Sequence, residues 1–410
     1  QKLHLNPASG RWIPDTTHRQ RHINSAIAYN IWKYFQTTGD QEFMNFYGAE
    51  MLLEIARFWA SASVYNPALD RYEIKGVMGP DEYHTAYPDT DPEAEGGVHN
   101  NAYTNVMAAW VLVRARDVID LLSDTCWQEL RERLELEDDE LDRWYEISRK
   151  LRVPMHQDGI ISQFEGYEDL EEFDWAGYRE KYGDIQRLDR ILEAEGDSPN
   201  RYKVSKQADV LMLFYLFSAE ELSMLFEQLG YPFDPETIPR NVDYYLARTS
   251  HGSTLSQVVH SWVMARSDRS RSWKLFQRAL ESDIADIQGG TTPEGIHLGA
   301  LAGSVDLVQR CYLGIGMRGN VLHFDPVFPA ELHSVRVRLH YRNQVLEVDA
   351  DHERLAIRSG AYTTHAITVA YRGHYRDLAP GDRCCFRLLK PEDRVRDENR
   401  LETGRDLAAR

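Results

Sequence analysis

Residues 210–217 read VLMLFYLF, eight apolar side chains in succession. A helix built from them has no polar face, so it belongs to an inner layer covered on most sides by other helices. Helical periodicity recurs around it, over 26–37 (stopped by Gly39), 41–61, 102–122, 139–151, 206–222, 254–265 and 271–287, between loops rich in Gly, Pro and Asp. Helices in such a series form either an open solenoid or a closed α/α toroid. Solenoid loops are short and regular. The loops at 63–100 and 152–204 are long and carry Trp, Tyr, His, Asp and Glu, the composition of a site mouth. A mainly α fold of the α/α-toroid type is therefore expected.

After Gly319 the period changes from helical to alternating. The segments 335–341, 344–350, 354–359 and 365–373 place apolar residues at every second position, with Asn343, Asp351 and Gly360 between them as turn signals. This predicts a small antiparallel sheet. The expected organisation is a helical domain over 1–318, a β-sheet domain over 319–390 and a charged tail over 391–410.

Composition narrows the chemistry. The 410 residues are 42% hydrophobic and 27% charged, as in an ordinary globular protein. A net charge of −18 argues against nucleic acid or an anionic membrane as partner and leaves small ligands open. The four cysteines, Cys126, Cys311, Cys384 and Cys385, lack zinc-site spacing and a disulfide framework, which favours a reducing, cytoplasmic setting; neither a signal peptide nor a membrane-spanning run is evident. The sequence opens on Gln1 rather than Met, which suggests a processed chain or part of a longer one.

Four polar clusters interrupt the helices. GVMGPDEYH (76–84) sets Asp81 and Glu82 on a Gly-Pro turn beside Tyr83 and His84; packing of Glu82 against Tyr83 would raise its pKa into the range of a general acid, whereas an exposed acidic turn is the plainer reading. HNNAYTN (99–105) places Asn100 and Asn101 at a helix entrance, where they cap it or bind sugar hydroxyls. KQAD (206–209) leads Lys206 and Gln207 into the apolar helix, with Ser205 as a candidate N-cap and an anion or polyol as candidate partner. TSHGSTLS (249–256) is either a plain cap or a phosphate cradle at a helix N-terminus. The glycine-rich stretch 287–303 holds Glu294, a second carboxylate or a loop-orienting residue.

Taken together and in this order, GVMGPDEYH, HNNAYTN, KQAD, TSHGSTLS and TTPEGIHLGALAG resemble the catalytic domain of glycoside hydrolase family 65, which includes maltose, trehalose, kojibiose and nigerose phosphorylases. The likeness runs from about His22 to Pro329. It implies a toroid of the (α/α)6 type with a β-sandwich before it and a small sheet domain after it. It implies Glu82 as general acid; His251, Ser253 and Thr254 as the phosphate site; and Lys206 and Gln207, with Asn100, Asn101 and Glu294, as substrate-binding residues. The implied partners are an α-linked glucose disaccharide and inorganic phosphate as co-substrate, with no metal or other cofactor; a homodimer is left open. The implied reaction is inverting phosphorolysis. An inverting hydrolase with Glu294 as base and an inactive carbohydrate-binding fragment are the rival readings. The family's N-terminal sandwich and first toroid helices have no counterpart before Gln1, so an incomplete toroid with weak or no activity is expected. Trp175 and Tyr178 in the insert 173–202, and the stretch 6–22, are candidates for the acceptor side or for ordinary packing.

Overall fold

The computed structural model describes residues 3–90, 96–156, 158–265, 267–287, 295–362, 365–390 and 393. The chain divides into two compact units, one of Gln1–Lys33 with Gln41–Gly303, the other of Tyr34–Asp40 with Ser304–Arg410.

The first unit is helical. After a short hairpin, β1 (Leu3–Leu5) with β2 (Trp12–Pro14), come α1 (Ile23–Thr38), α2 (Gln41–Phe43) and α3 (Ala49–Ala62), then a second hairpin, β3 (Val64–Asn66) with β4 (Arg71–Glu73). The chain continues through α4 (Ala102–Leu121), α5 (Asp124–Leu134), α6 (Asp138–Lys150), α7 (Trp175–Tyr182), α8 (Leu188–Glu195) and α9 (Asp209–Leu216). Next are α10 (Ala219–Leu229), α11 (Thr237–Leu246), α12 (Thr254–Met264), α13 (Arg269–Glu281) and α14 (Leu298–Asp306). The helices pack on one another in an α/α arrangement: α3 on α4, α4 on α6 and α9, α9 on α11 and α12, and α12 on α13.

The apolar stretch behaves as its composition requires. In α9, Val210, Leu211, Leu213 and Phe214 are buried, and Met212, Tyr215 and Leu216 are half-buried. The helix expected over 206–222 is two helices, however. Ser218 breaks it by starting a new one, with its hydroxyl accepting from Glu221 N and the Glu221 carboxylate accepting from Ser218 N, a capping box carried by the letters SAEE. Ser205 is not an N-cap: it lies on a parallel bridge to Thr249, and α9 begins only at Asp209. The helices α5, α7, α8, α11 and α14 were not anticipated. They are short or strongly polar, so their apolar stripes are narrow.

The second unit is built from two four-stranded sheets rather than one. Strands β7 (Ser334–Tyr341), β8 (Gln344–Asp351), β9 (Arg354–Ser359) and β12 (Arg383–Arg387) form an antiparallel sheet in the order β12-β9-β8-β7. Strands β5 (Gly316–Arg318), β6 (Val321–Phe324), β10 (Ile367–Tyr371) and β11 (His374–Leu378) form the other, in which β6 and β10 run parallel. Two of the tight hairpins, β7–β8 and β10–β11, use two-residue turns with two positive φ angles: Arg342 at 47° with Asn343 at 61°, and Arg372 at 43° with Gly373 at 80°. The second turn takes the last two residues of the expected strand 365–373, which runs only over Ile367–Tyr371. The tail over 391–410 lies outside the described residues except for Asp393. Among the described residues no helix is long and apolar enough to cross a membrane.

The inner-layer assignment makes a sharp prediction. Leu213 is fully buried, and Leu213→Ala is expected to cost about 2–5 kcal/mol. Met224 is 70% exposed, and Met224→Ala should stay within about 0.5 kcal/mol. Urea denaturation followed by circular dichroism reads both.

Candidate active site

The Gly79-Pro80 turn is held by its surroundings rather than by its own sequence. Asp81 is 2% exposed. Its Oδ1 accepts the backbone N–H groups of Lys206 (2.5 Å) and Gln207 (3.1 Å), and its Oδ2 accepts from Gln163 Nε2 (2.9 Å). Its own N–H donates to Asp209 Oδ1 (2.7 Å), while Asp209 Oδ2 accepts from Asn101 Nδ2 (2.7 Å). Burial first, and then the neighbouring Asp81 charge, push the Asp209 carboxyl well above the usual carboxylate range. Gly79 packs so closely on this pair that a Cβ there would lie 1.9 Å from Asp209 Oδ2. The turn therefore needs glycine for space.

Glu82 follows in a left-handed conformation, φ 66°, which costs a non-glycine residue about 1–2 kcal/mol. Its side chain remains 40% exposed and is gripped from both sides. Gln20 Nε2 donates to Oε1 (2.8 Å) and Lys206 Nζ to Oε2 (2.7 Å). Burial acts to raise its pKa, but the Lys206 charge and the hydrogen bonds from Lys206 and Gln20 outweigh it, and the net shift is downward. The expected upward shift against Tyr83 is thus reversed. The Tyr83 ring turns away into a cluster with Phe173, Leu188, Leu192 and Val204, and its hydroxyl pairs with Ser250 Oγ (2.8 Å).

Glu82 and Lys206 open onto a cavity of about 730 Å³, whose walls include Asp15, Thr16, Thr17, Arg187 and Asp189. This size suits a small ligand. Asp189 is a carboxylate that the sequence reading passed over; Arg187 Nη2 donates to its Oδ2 (2.8 Å) and Nε to its Oδ1 (3.1 Å). Burial raises its pKa, but the Arg187 hydrogen bonds and charge prevail and lower it.

The TSHGSTLS loop approaches the same place from another direction. Ser253 caps α12, accepting from Leu255 N (3.2 Å), and Thr254 is the first residue of that helix, buried. His251 sits at φ 59° with Nδ1 2.8 Å from Ser256 Oγ. Desolvation, followed by the neighbouring His260, holds the His251 pKa down to about 3. A Cβ at Gly252 would lie 3.2 Å from Lys206 Cγ and 3.0 Å from the Tyr83 hydroxyl, so the loop touches both the lysine stem and the acid turn.

The remaining candidates fall in different places. Gln207 is buried beside the turn, with Nε2 donating to Pro80 O (3.3 Å) and Oε1 without a hydrogen bond among the described residues. Asn101 is the N-cap of α4, accepting from Thr104 N (2.9 Å). Asn100 donates to Glu165 Oε2 (2.9 Å) and accepts from Ile74 N (3.2 Å). Both asparagines are buried with protein partners: Asn101 caps the helix, whereas Asn100 ties Ile74 to Glu165. Trp175 and Tyr178 pack on Phe173, with ring centroids at 5.1 and 4.5 Å. Glu294 lies outside the described residues.

A family model for the glycosyl hydrolase family 65 central catalytic domain matches residues 1–306, and one for that family's C-terminal domain matches 315–375. The chain belongs to glycosyl hydrolase family 65. Among its family 65 relatives, an uncharacterized glycosyl hydrolase of Mycobacterium tuberculosis is 51% identical over 93% of this chain and 28% of its own length. Trehalose 6-phosphate phosphorylase of Lactococcus lactis is 36% identical over 88% of this chain and 45% of its own. Kojibiose phosphorylase of Halothermothrix orenii is 33% identical over 82% and 40%. The solved structure of a putative kojibiose phosphorylase from human microbiome superposes with a TM-score of 0.71 at 23% identity, covering 89% of this chain and 49% of that one, which establishes the fold as the α/α toroid with its small β domain. The chain spans less than half the length of these relatives.

The residues that sequence reasoning missed are those that aim Glu82: Asp81, Gln163 and Asp209 behind the turn, and Gln20 beside the carboxylate. Asp81 and Asp209 were present in the quoted motifs, but as polar residues they read like solvated helix ends. Replacing Gly79 by Ala tests the packing directly. It should destabilise the fold by about 1–3 kcal/mol through the clash with Asp209. Gly316→Ala, where nothing lies within 4 Å, should stay within about 0.5 kcal/mol in the same denaturation assay.

Proposed function

We propose that this chain carries out inverting phosphorolysis of an α-glucosyl disaccharide, yielding β-glucose 1-phosphate and a free sugar. The observation that carries this reading is the convergence of a held carboxyl, Glu82, a cation, Lys206, and the N-terminal loop of α12. Phosphorylases among the relatives support it.

The chemistry follows from these parts. Glu82 protonates the glycosidic oxygen as its bond to C1 breaks, and a phosphate oxygen forms the new bond to C1 from the opposite face. Phosphate is already an anionic nucleophile, so it needs orienting donors rather than a general base. His251, Ser253, Thr254 and the N–H groups at the start of α12 are those donors in this reading. Lys206 and Gln207 hold the glucosyl unit. A sugar hydroxyl drawing Lys206 off Glu82 leaves burial to raise the Glu82 pKa, so the acid becomes protonated as substrate enters. The hydrolase alternative requires a carboxylate base about 6.5–9.5 Å from the acid. Asp189, one of several carboxylates lining the cavity, is committed to Arg187 and so is not a free base for that alternative.

Two experiments decide the reading. With a panel of α-linked glucose disaccharides, turnover should require inorganic phosphate and release β-glucose 1-phosphate, detected by 31P NMR; glucose release without phosphate would overturn it. Glu82→Gln should lower turnover by about 10²–10⁴-fold.

The Lys206 grip carries a pH signature. Activity needs protonated Glu82 and so declines as pH rises through its pKa. Lys206 lowers that pKa in the resting site, so Lys206→Met should move the alkaline limb of the kcat/KM profile to higher pH. An unmoved limb would show that Lys206 does not set the charge of Glu82.

A further inference from the structure

Two buried residues behind the α12 loop have no part in the mechanism above. Ser256 and His260 are both fully buried, one turn apart on α12, and His251 lies against them with its ring 4.6 Å from that of His260. Among the hydrogen bonds that join these three residues, one arrangement makes every contact and also pairs the Ser256 hydroxyl proton. His260 Nδ1 is 2.7 Å from the carbonyl oxygen of Ser256, which only accepts, so His260 carries its proton on Nδ1. The same N–H reaches Ser256 Oγ at 3.1 Å, so the hydroxyl receives rather than donates on that side. A buried hydroxyl proton needs a partner, and with His260 Nδ1 already a donor it goes to His251 Nδ1 at 2.8 Å, where the nitrogen accepts. A neutral imidazole accepting at Nδ1 holds its proton on Nε2. Both rings are neutral at working pH, because desolvation lowers His260 to about 4 and His251 to about 3.

We propose that Ser256 and His260 are positioning residues that fix His251 as the Nε2–H tautomer, so that the loop presents a neutral donor to phosphate. The inference rests on the phosphorolysis reading for its ligand, but the tautomer is a property of the chain alone. A neutral donor suits a buried cradle. It binds an anion without the desolvation cost of a buried imidazolium, and the opposite tautomer would aim a lone pair at the phosphate instead.

Selective 15N-histidine labelling with long-range 1H–15N correlation reads the tautomer in the wild-type chain, with His251 assigned by difference against His251→Gln. The expected pattern is protonated Nε2 and bare Nδ1; a protonated Nδ1 on His251 overturns the proposal without any variant having to fold. Kinetics give the second reading. Ser256→Ala should raise the KM for phosphate by about tenfold and leave the disaccharide KM near its wild-type value. His260→Asn, which keeps a donor near the Nδ1 position, should retain phosphate affinity that His260→Leu loses. An unchanged phosphate KM in Ser256→Ala overturns the positioning role. Failure of the phosphorolysis reading would show separately, as wild-type turnover indifferent to phosphate while the tautomer stays as assigned.

Discussion

The site depends on the buried carboxylate of Asp81. It accepts the backbone N–H groups of Lys206 and Gln207 across 125 residues of chain, so two segments that share no secondary structure are joined by charge-assisted bonds. Without it, two buried donors would lose their partner, at about 1–3 kcal/mol each. Its own N–H is tied to Asp209, the first residue of the apolar helix α9. The inner layer of the fold thus fixes Asp81, and Asp81 fixes the residue after it, which is why Glu82 can be held at φ 66° despite the steric cost.

Rigid backbone and changeable charge are combined here in adjacent residues. Asp81 is enclosed, its carboxylate accepting from Gln163, Lys206 and Gln207. Glu82 is 40% exposed, and its partners are the tips of two flexible side chains, Gln20 and Lys206. Burial and Lys206 pull its proton affinity in opposite directions, and Lys206 wins in the unliganded arrangement. In the proposed reaction Glu82 is a general acid, which needs its position preserved while its protonation changes. The division of labour between Asp81 and Glu82 meets that need, because a ligand can displace the lysine without disturbing the turn.

How much of this was legible in the sequence follows from the range of the interactions. The inner position of α9 was legible because eight consecutive apolar residues leave no alternative, and the hairpin β7–β8 because alternation and Asn343 agree. The break at Ser218 was legible in principle through its capping box, but the apolar run before it and the helical spacing of Leu222, Leu225 and Phe226 after it masked it. The second sheet was not, because the parallel pairing of β6 with β10 joins segments more than forty residues apart and leaves no local signature. At the site, the motifs named Glu82, Lys206 and the α12 loop, but not the direction of the Glu82 shift. That sign is set by Lys206 Nζ at 2.7 Å, a contact between residues 124 apart. Tyr83 adjoins Glu82 in sequence, yet its ring points elsewhere.

The overall charge of −18 is, at first sight, opposed to the proposed anionic co-substrate. Distance decides otherwise. At physiological ionic strength the screening length is about 8 Å, so most surface carboxylates contribute little to the potential in the loop, while groups in direct contact contribute nearly in full. Among those groups is the positive end of α12, with Ser253 at its cap; Lys206 lies against Gly252 only by its uncharged stem, its ammonium being on Glu82. The imidazole of His251 adds a donor without adding charge, since desolvation keeps it neutral. An anion held mainly by neutral donors and helix dipoles, with Arg271, Arg278 and Arg179 acting through their charges alone, is bound less tightly than one held by several cations in contact. That is the useful balance for a co-substrate, which has to arrive, react and leave as part of the product in each turnover.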